Sequence, residues 1–228
     1  AAGDMTGAYP EEEFINDAGG LVGNNLGLVI NSYNQGEVKA AGDSSENDAG
    51  GLAGYNVDGA IVANSYNTAA VEATGNTHNQ AGGLVGANEN AHLANSYNAG
   101  KVSAGGGENF VGGVAGKNER GIVANAYWLE TTAAEGFGQG SGTSCASFSE
   151  AQGKSLETAP SFKYTIGTGN ERTGTLVMAL NVWVKKPSLA VSPYSYQTWT
   201  LAEDDNMGYP VFGTPGPGQT IPVPIQPS

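Results

Sequence analysis

One phrase is written four times along this chain: Ala18-Gly-Gly-Leu-Val-Gly, Ala49-Gly-Gly-Leu-Ala-Gly, Ala81-Gly-Gly-Leu-Val-Gly and Val111-Gly-Gly-Val-Ala-Gly. Each copy is followed by a second anchor, Asn31-Ser-Tyr-Asn, Asn64-Ser-Tyr-Asn, Asn95-Ser-Tyr-Asn or Asn125-Ala-Tyr-Trp. After the first three comes a lone valine, Val38, Val71 or Val102, between more polar or small neighbours. The glycine pairs recur at spacings of 31, 32 and 30 residues. A fixed period of this length marks a stacked array in which no unit buries its apolar face alone. It constrains architecture far more than function.

Within a repeat the apolar runs are short and cut by Gly or Asn, as in Leu28-Val29-Ile30, Ile61-Val62 and Ile122-Val123. Such runs suit strands and are too short for helices. The chain therefore reads as mainly β: a parallel β-solenoid of four coils over residues 18–130, with about three short strands per coil. Stacking in register turns each recurring residue into a ladder. Asn31, Asn64, Asn95 and Asn125 are placed at a corner, where Asn tolerates left-handed backbone and its amides bond along the axis. Tyr33, Tyr66, Tyr97 and Tyr127 become a column of parallel rings, either a packed structural stripe or a platform for sugars. The glycine pairs mark bends where a Cβ would clash. A phosphate-cradling loop is excluded because no Lys or helix start follows them. Lys39 is set over Glu72, which makes that pair a check on register.

Outside the repeats the grammar changes. Residues 1–17 read as the edge of a truncated preceding coil, with Met5 at the place of Val38. Thr131 to Ser147 reads as a loop excursion. Short helices are expected near Phe148–Gln152 and within Thr173–Val184, and a hairpin from Tyr196–Leu201 and Tyr209–Phe212. Residues 131–212 thus form a small α+β C-terminal cap, required because an open solenoid end exposes unpaired strands. Trp183, Trp199, Tyr209 and Phe212 fill that cap. Residues 213–228 are a proline-rich linker.

The net charge of −13 argues against nucleic acid and anionic membranes as partners. No apolar run is long enough to span a bilayer, so no membrane insertion is expected. The single Cys145 has no disulfide partner in the chain and no adjacent His, which leaves it a structural thiol. Carboxylates cluster at Glu11 to Glu13, at Asp43, Glu46 and Asp48, and at Glu203, Asp204 and Asp205, none with the spacing of a calcium loop. Asp204 and Asp205 are the weak candidates for a structural calcium; otherwise no metal or cofactor is expected. With nine Lys and Arg, the chain is poor in the basic residues a lyase of acidic polysaccharides needs.

The pattern Gly-Gly-Leu-Val-Gly-x-Asn, then apolar-x-Asn-Ser-Tyr, then Gly-x-Val resembles the GLUG motif repeat of bacterial surface proteins, found in IgA-specific zinc metallopeptidases and adhesin-like proteins. The resemblance implies an extracellular, bacterial cell-surface β-solenoid. It does not bring peptidase activity, because the His-Glu-x-x-His motif is absent: His78 is followed by Asn79, and His92 by Leu93. The expectation is a non-catalytic module, adhesin-like or a stalk, in a larger multidomain chain, with a host or cell-surface glycan or protein as partner. One alternative is a carbohydrate-binding module using Tyr66, Tyr97, Tyr194, Tyr196 and Trp199. Another is an accessory region of a larger secreted peptidase or glycan-active enzyme. Burial of the tyrosine column separates scaffold from platform.

Overall fold

The computed structural model describes residues 15–43, 45–155, 161–166, 170–201 and 205–214. The first coil holds β1 (Ile15–Gly19), β2 (Val22–Asn25), β3 (Leu28–Ile30), β4 (Tyr33–Asn34) and β5 (Val38–Ala41). The second holds β6 (Glu46–Gly50), β7 (Ala53–Val57), β8 (Ile61–Ala63) and β9 (Tyr66–Asn67). The long β10 (Val71–Gly82) then closes coil two and opens coil three, which continues through β11 (Val85–Glu89) and β12 (His92–Asn98). In the same way β13 (Val102–Gly112) leads into β14 (Ala115–Glu119) and β15 (Ile122–Leu129).

These strands form three parallel sheets that run the length of the stack, in the orders β1-β6-β10-β13, β2-β7-β11-β14 and β3-β8-β12-β15. Equivalent repeat residues face each other: Ala18, Ala49, Ala81 and Val111 are successive partners, as are Val38, Val71 and Val102. Lys39 partners Glu72, and their charged groups meet at 2.9 Å. Both side chains are about half exposed, so the pair contributes about 0–1 kcal/mol and reports register rather than stability.

The interior is filled by what the repeat supplies at fixed positions. Leu52, Leu84 and Val114 from the glycine phrase pack with Val62, Leu93 and Val123 from the second apolar run. A second cluster gathers Val38, Val71 and Val102 with Ala49 and Ala81. The glycine pairs are needed for space. A Cβ on Gly51 would come within 2.2 Å of the Gly83 carbonyl and 2.5 Å of the Asn67 side chain; one on Gly50 would meet the Ala53 carbonyl at 1.8 Å. The coil turns there so tightly that only hydrogen fits.

Two features differ from expectation. The stretch after coil four is not a mere excursion: β16 (Phe137–Gln139) pairs in parallel with β14, and β17 (Ala146–Phe148) with β15. This adds a partial fifth level, built from a sequence too rich in Gly, Ser and Thr to show an apolar run. Phe137 takes the place of Ala115 in the ladder, and Phe148 lies beside Leu129.

The second difference concerns the C-terminal region. It comprises α1 (Glu150–Gly153), a hairpin of β18 (Phe162–Ile166) and β19 (Asn170–Gly174), α2 (Leu176–Lys185), and a second hairpin of β20 (Trp199–Leu201) and β21 (Pro210–Phe212). The helices and the second hairpin fall where the sequence places them, and α1 carries a capping box between Ser149 and Gln152. Yet the region does not simply close the end of the stack. It runs along its flank: Asn125 of coil four bonds to Thr165, Tyr97 of coil three to Pro210, Asn64 of coil two to Gln197, and Asn31 of coil one to Ser195. The physical reason is the column of large rings, an apolar surface that Leu176, Val177, Leu180, Trp199 and Val211 bury.

Candidate functional site

Three of the four tyrosines form the column anticipated from the repeat, whereas Tyr127, the register partner of Tyr97, turns its ring to Phe162 instead. Tyr33 and Tyr66 stack with centroids 5.0 Å apart and planes 8° from parallel; Tyr66 and Tyr97 stack at 5.2 Å and 6°. The flank segment then covers them. The ring of Trp199 lies 5.9 Å from Tyr66 and 5.8 Å from Tyr97, Phe148 meets Tyr97 edge-on, and Phe162 meets Tyr127 edge-on. Together with Leu176, Val177, Leu180, Tyr209 and Val211 they make one continuous apolar layer between solenoid and clasp.

Tyr66, Tyr97 and Trp199, expected as a sugar platform in the alternative reading, are thus buried, with no ring face free for a ligand. Burial raises the Tyr97 phenol well above its ordinary value. Its hydroxyl donates to the Pro210 carbonyl at 2.6 Å and accepts from Asn206 at 2.7 Å, so even the polar tip is used structurally. Tyr196 is half-buried, edge-on to Trp183 at 4.7 Å, and its phenol is pushed up to about 12 by burial. Tyr194 is 64% exposed, and Tyr33, outermost of the column, is 51% exposed. Sequence reasoning grouped five aromatics; the structure brings Tyr66, Tyr97 and Trp199 together under cover and leaves Tyr194 outside.

The asparagine ladder joins the two parts. Asn31, Asn64, Asn95 and Asn125 all have left-handed backbone, with φ between 44° and 54°, a conformation that Asn accepts more readily than most residues. Asn95 donates to Asn64 at 2.7 Å, and Asn64 donates to Asn31 at 2.8 Å. The Asn64 oxygen also accepts from the Trp199 indole at 2.7 Å. The corner ladder therefore serves as the hydrogen-bonding edge on which the clasp is seated. Three further ladders, Asn16-Asn47-Asn79-Asn109, Asn25-Asn56-Asn88-Asn118 and Asn34-Asn67-Asn98, run through the coils. Their signal was present in the sequence, since each copy carries Asn at those offsets except the fourth, where Trp128 stands in line with Asn98.

A different chemistry lies on the other side of the coils, where the first two sheets meet. Asp17, Asp48 and Gln80 are register partners on successive coils. Asp48 and Gln80 are almost wholly buried, and Asp17 Oδ1, Asp48 Oδ1 and Gln80 Oε1 are all buried oxygens without a hydrogen-bond partner. Loss of solvent, reinforced by Glu46 and then Asp17 and opposed by Lys117, pushes the Asp48 carboxyl up to about 8. Burial and Glu46 push Asp17 up to about 6. Of the three, Gln80 lines a cavity of about 40 Å3, together with Glu46, Tyr55, Glu89, Lys117 and Glu119 among others. Tyr55 donates to Glu89, and Arg120 bonds to Glu89 at 2.5 Å and Glu119 at 3.0 Å. These contacts hold the Glu89 carboxyl below its usual range, the Tyr55 bond contributing most.

Among the described residues, no three His, Cys, Asp or Glu side chains are already gathered as a metal site. Asp205 caps the short 3-10 turn at Asn206–Gly208, accepting from the Asn206 amide at 2.7 Å. Asp204, its partner as a calcium candidate, lies outside the described residues, as do Glu11 to Glu13, Met5 and residues 215–228 of the expected linker. Cys145 is half-buried, and burial pushes its thiol up to about 11, a value that suits packing rather than nucleophilic attack. No helix among the described residues is long and apolar enough to cross a membrane.

Fold and ladders define the class: a parallel β-solenoid whose period is one coil and whose recurring residues are ladder and corner positions. Comparison with known families agrees. The family model of the GLUG motif matches residues 45–72 and 77–103, so the second and third coils are GLUG repeats. Each match runs from the opening of one glycine-phrase strand to the valine strand that ends the same coil. Comparison with curated proteins and with solved structures gives no match.

Proposed function

We propose that this chain is a non-catalytic display module of a bacterial cell surface, a rigid spacer or adhesin-like element that holds its loops and exposed edge in fixed positions. The observation that carries this reading is where the repeated residues go. Tyrosines, asparagines, glycines and valines are consumed in stacking the coils and seating the clasp, which leaves exposed residues such as Asp43, Asn76 and Thr77 for display. Asp43 accepts from Asn76 of β10 at 2.7 Å across neighbouring coils, so the stack fixes the position of the exposed edge. GLUG repeats and a solenoid fit a surface-type repeat module; the extracellular location and a larger parent chain follow from the resemblance and stand as parts of the proposal.

The test is a turnover screen on peptide and polysaccharide substrates, run beside surface display of the chain between an anchor and a reporter epitope. A stable, protease-resistant spacer without turnover is the expected result. Turnover that disappears in Glu89→Gln or Asp48→Asn would overturn the reading and make the acidic groove an active site.

A second reading, carbohydrate attachment, is favoured by one observation. Tyr33 presents an open ring at a recess of about 230 Å3 that also holds Gln35 and Asp205, the aromatic-plus-polar composition of a sugar subsite. A glycan array probed with the native chain and with Tyr33→Ala decides it: saturable binding lost in the variant supports attachment, and an array without signal removes it.

A further inference from the structure

We propose that the groove between the first and second sheets binds a divalent cation of the calcium type, held by the oxygens of Asp48, Gln80 and Glu46. Three successive coils place an acceptor oxygen in one column: Asp17 Oδ1, Asp48 Oδ1 and Gln80 Oε1, each buried and without a donor. Stacked strands hold neighbouring members of such a column about 4.8 Å apart. One cation between two coils therefore reaches oxygens from both. A buried acceptor without a donor is costly, and a cation set between these oxygens meets that need.

The neutral Gln80 is the decisive member. Its side chain is about 98% buried, its oxygen has no partner, and it lines the 40 Å3 cavity. Hard cations of this class take carboxylate and amide oxygens at 2.3–2.6 Å. Glu46 supplies a second carboxylate: it lies two residues before Asp48 on the same face of β6, lines the same cavity and forms no ion pair among the described residues. The other charges facing the cavity are already matched, Glu89 by Tyr55 and Arg120, and Glu119 by Lys117 and Arg120. Lys117, held at 3.2 Å from Glu119, bounds the site on the coil-four side. Lys117 offsets part of the Asp48 charge, and Asp17, Glu46 and Asp48 form no ion pair among the described residues.

The experiment uses the full chain stripped with a chelator. Calcium and magnesium are titrated separately, with binding heat and melting temperature as readouts. Saturable calcium binding with a rise of several degrees is expected, together with at least a tenfold loss of affinity in Asp48→Asn and in Glu46→Gln. Asp43→Asn, an exposed acid outside the column, is expected to bind as the native chain does. Melting curves without calcium establish that each variant folds. The proposal is overturned if the native chain shows no saturable heat up to 10 mM calcium, or if Asp48→Asn and Glu46→Gln bind as tightly as the native chain.

Discussion

Replacing Asn64 tests whether one corner residue links the array to its clasp. The Asn64 carboxamide takes part in four hydrogen bonds: it donates to Asn31 Oδ1 at 2.8 Å and to the Gln197 carbonyl at 2.9 Å, and accepts from Asn95 Nδ2 at 2.7 Å and Trp199 Nε1 at 2.7 Å. Asn64→Ala removes all four and strands two buried donors, the Trp199 indole and the Asn95 amide. A buried group left without its partner costs about 1–3 kcal/mol, so these two account for about 2–6 kcal/mol. The backbone adds a further cost of about 1 kcal/mol, because φ at this position is 50° and alanine is strained there. A loss of about 4 kcal/mol is expected, a large share of the total stability of a domain. Asn64→Gly loses the same bonds without the strain and is expected to be about 1 kcal/mol less destabilised than the alanine variant. Urea unfolding followed by both far-ultraviolet circular dichroism and tryptophan fluorescence gives the two values, with the slope as a check on two-state behaviour. A loss below about 1 kcal/mol for Asn64→Ala would refute the reasoning that the ladder seats the clasp. Equal losses for Ala and Gly would refute the backbone argument.

The same ladder position offers an internal control for packing: Leu84→Ala, from a fully buried site, is expected to cost about 3–5 kcal/mol, whereas Leu21→Ala, 43% exposed on the outermost coil, is expected to cost about 1 kcal/mol or less by chemical denaturation. Tyr97→Phe keeps the ring stack but removes the hydroxyl that joins Pro210 and Asn206; a loss of about 1–2 kcal/mol is expected, with faster hydrogen exchange confined to the second hairpin. Uniform exchange throughout the chain would contradict that assignment. A thiol raised to about 11 is almost entirely protonated at pH 8, and its thiolate fraction rises as pH approaches 11. Alkylation of Cys145 at pH 8 is therefore expected to run about 200-fold slower than for a free cysteine, from the thiolate fractions alone. A rate near that of free cysteine would show the thiol is not desolvated.

The acidic groove shows where legibility in the sequence ends. Asp17, Asp48 and Gln80 occupy equivalent offsets before their glycine pairs, so their alignment was readable once the register was known. That the sheets close a groove over them, burying Asp48 and leaving its oxygen without a donor, was not. Burial depends on the angle between two sheets, and no local pattern encodes it. The partial fifth level was hidden for a related reason: β16 and β17 are held by backbone pairing to a template already formed, and such pairing makes little demand on side chains.

The sequence by itself determined the period, the parallel stacking, the glycine corners, the asparagine and tyrosine columns, and the pairing of Lys39 with Glu72. Repetition at a fixed spacing leaves only one register in which like meets like, and stacking energies depend on near neighbours that the period identifies. Only the tertiary structure decided which face of the tyrosine column meets solvent. Trp199 lies 133 residues beyond Tyr66 in the chain, and nothing local to either residue states that they meet. The apolar rings of the column are buried by the C-terminal region along the flank. What had two readings as a sequence, a sugar platform or a packed stripe, became a seam.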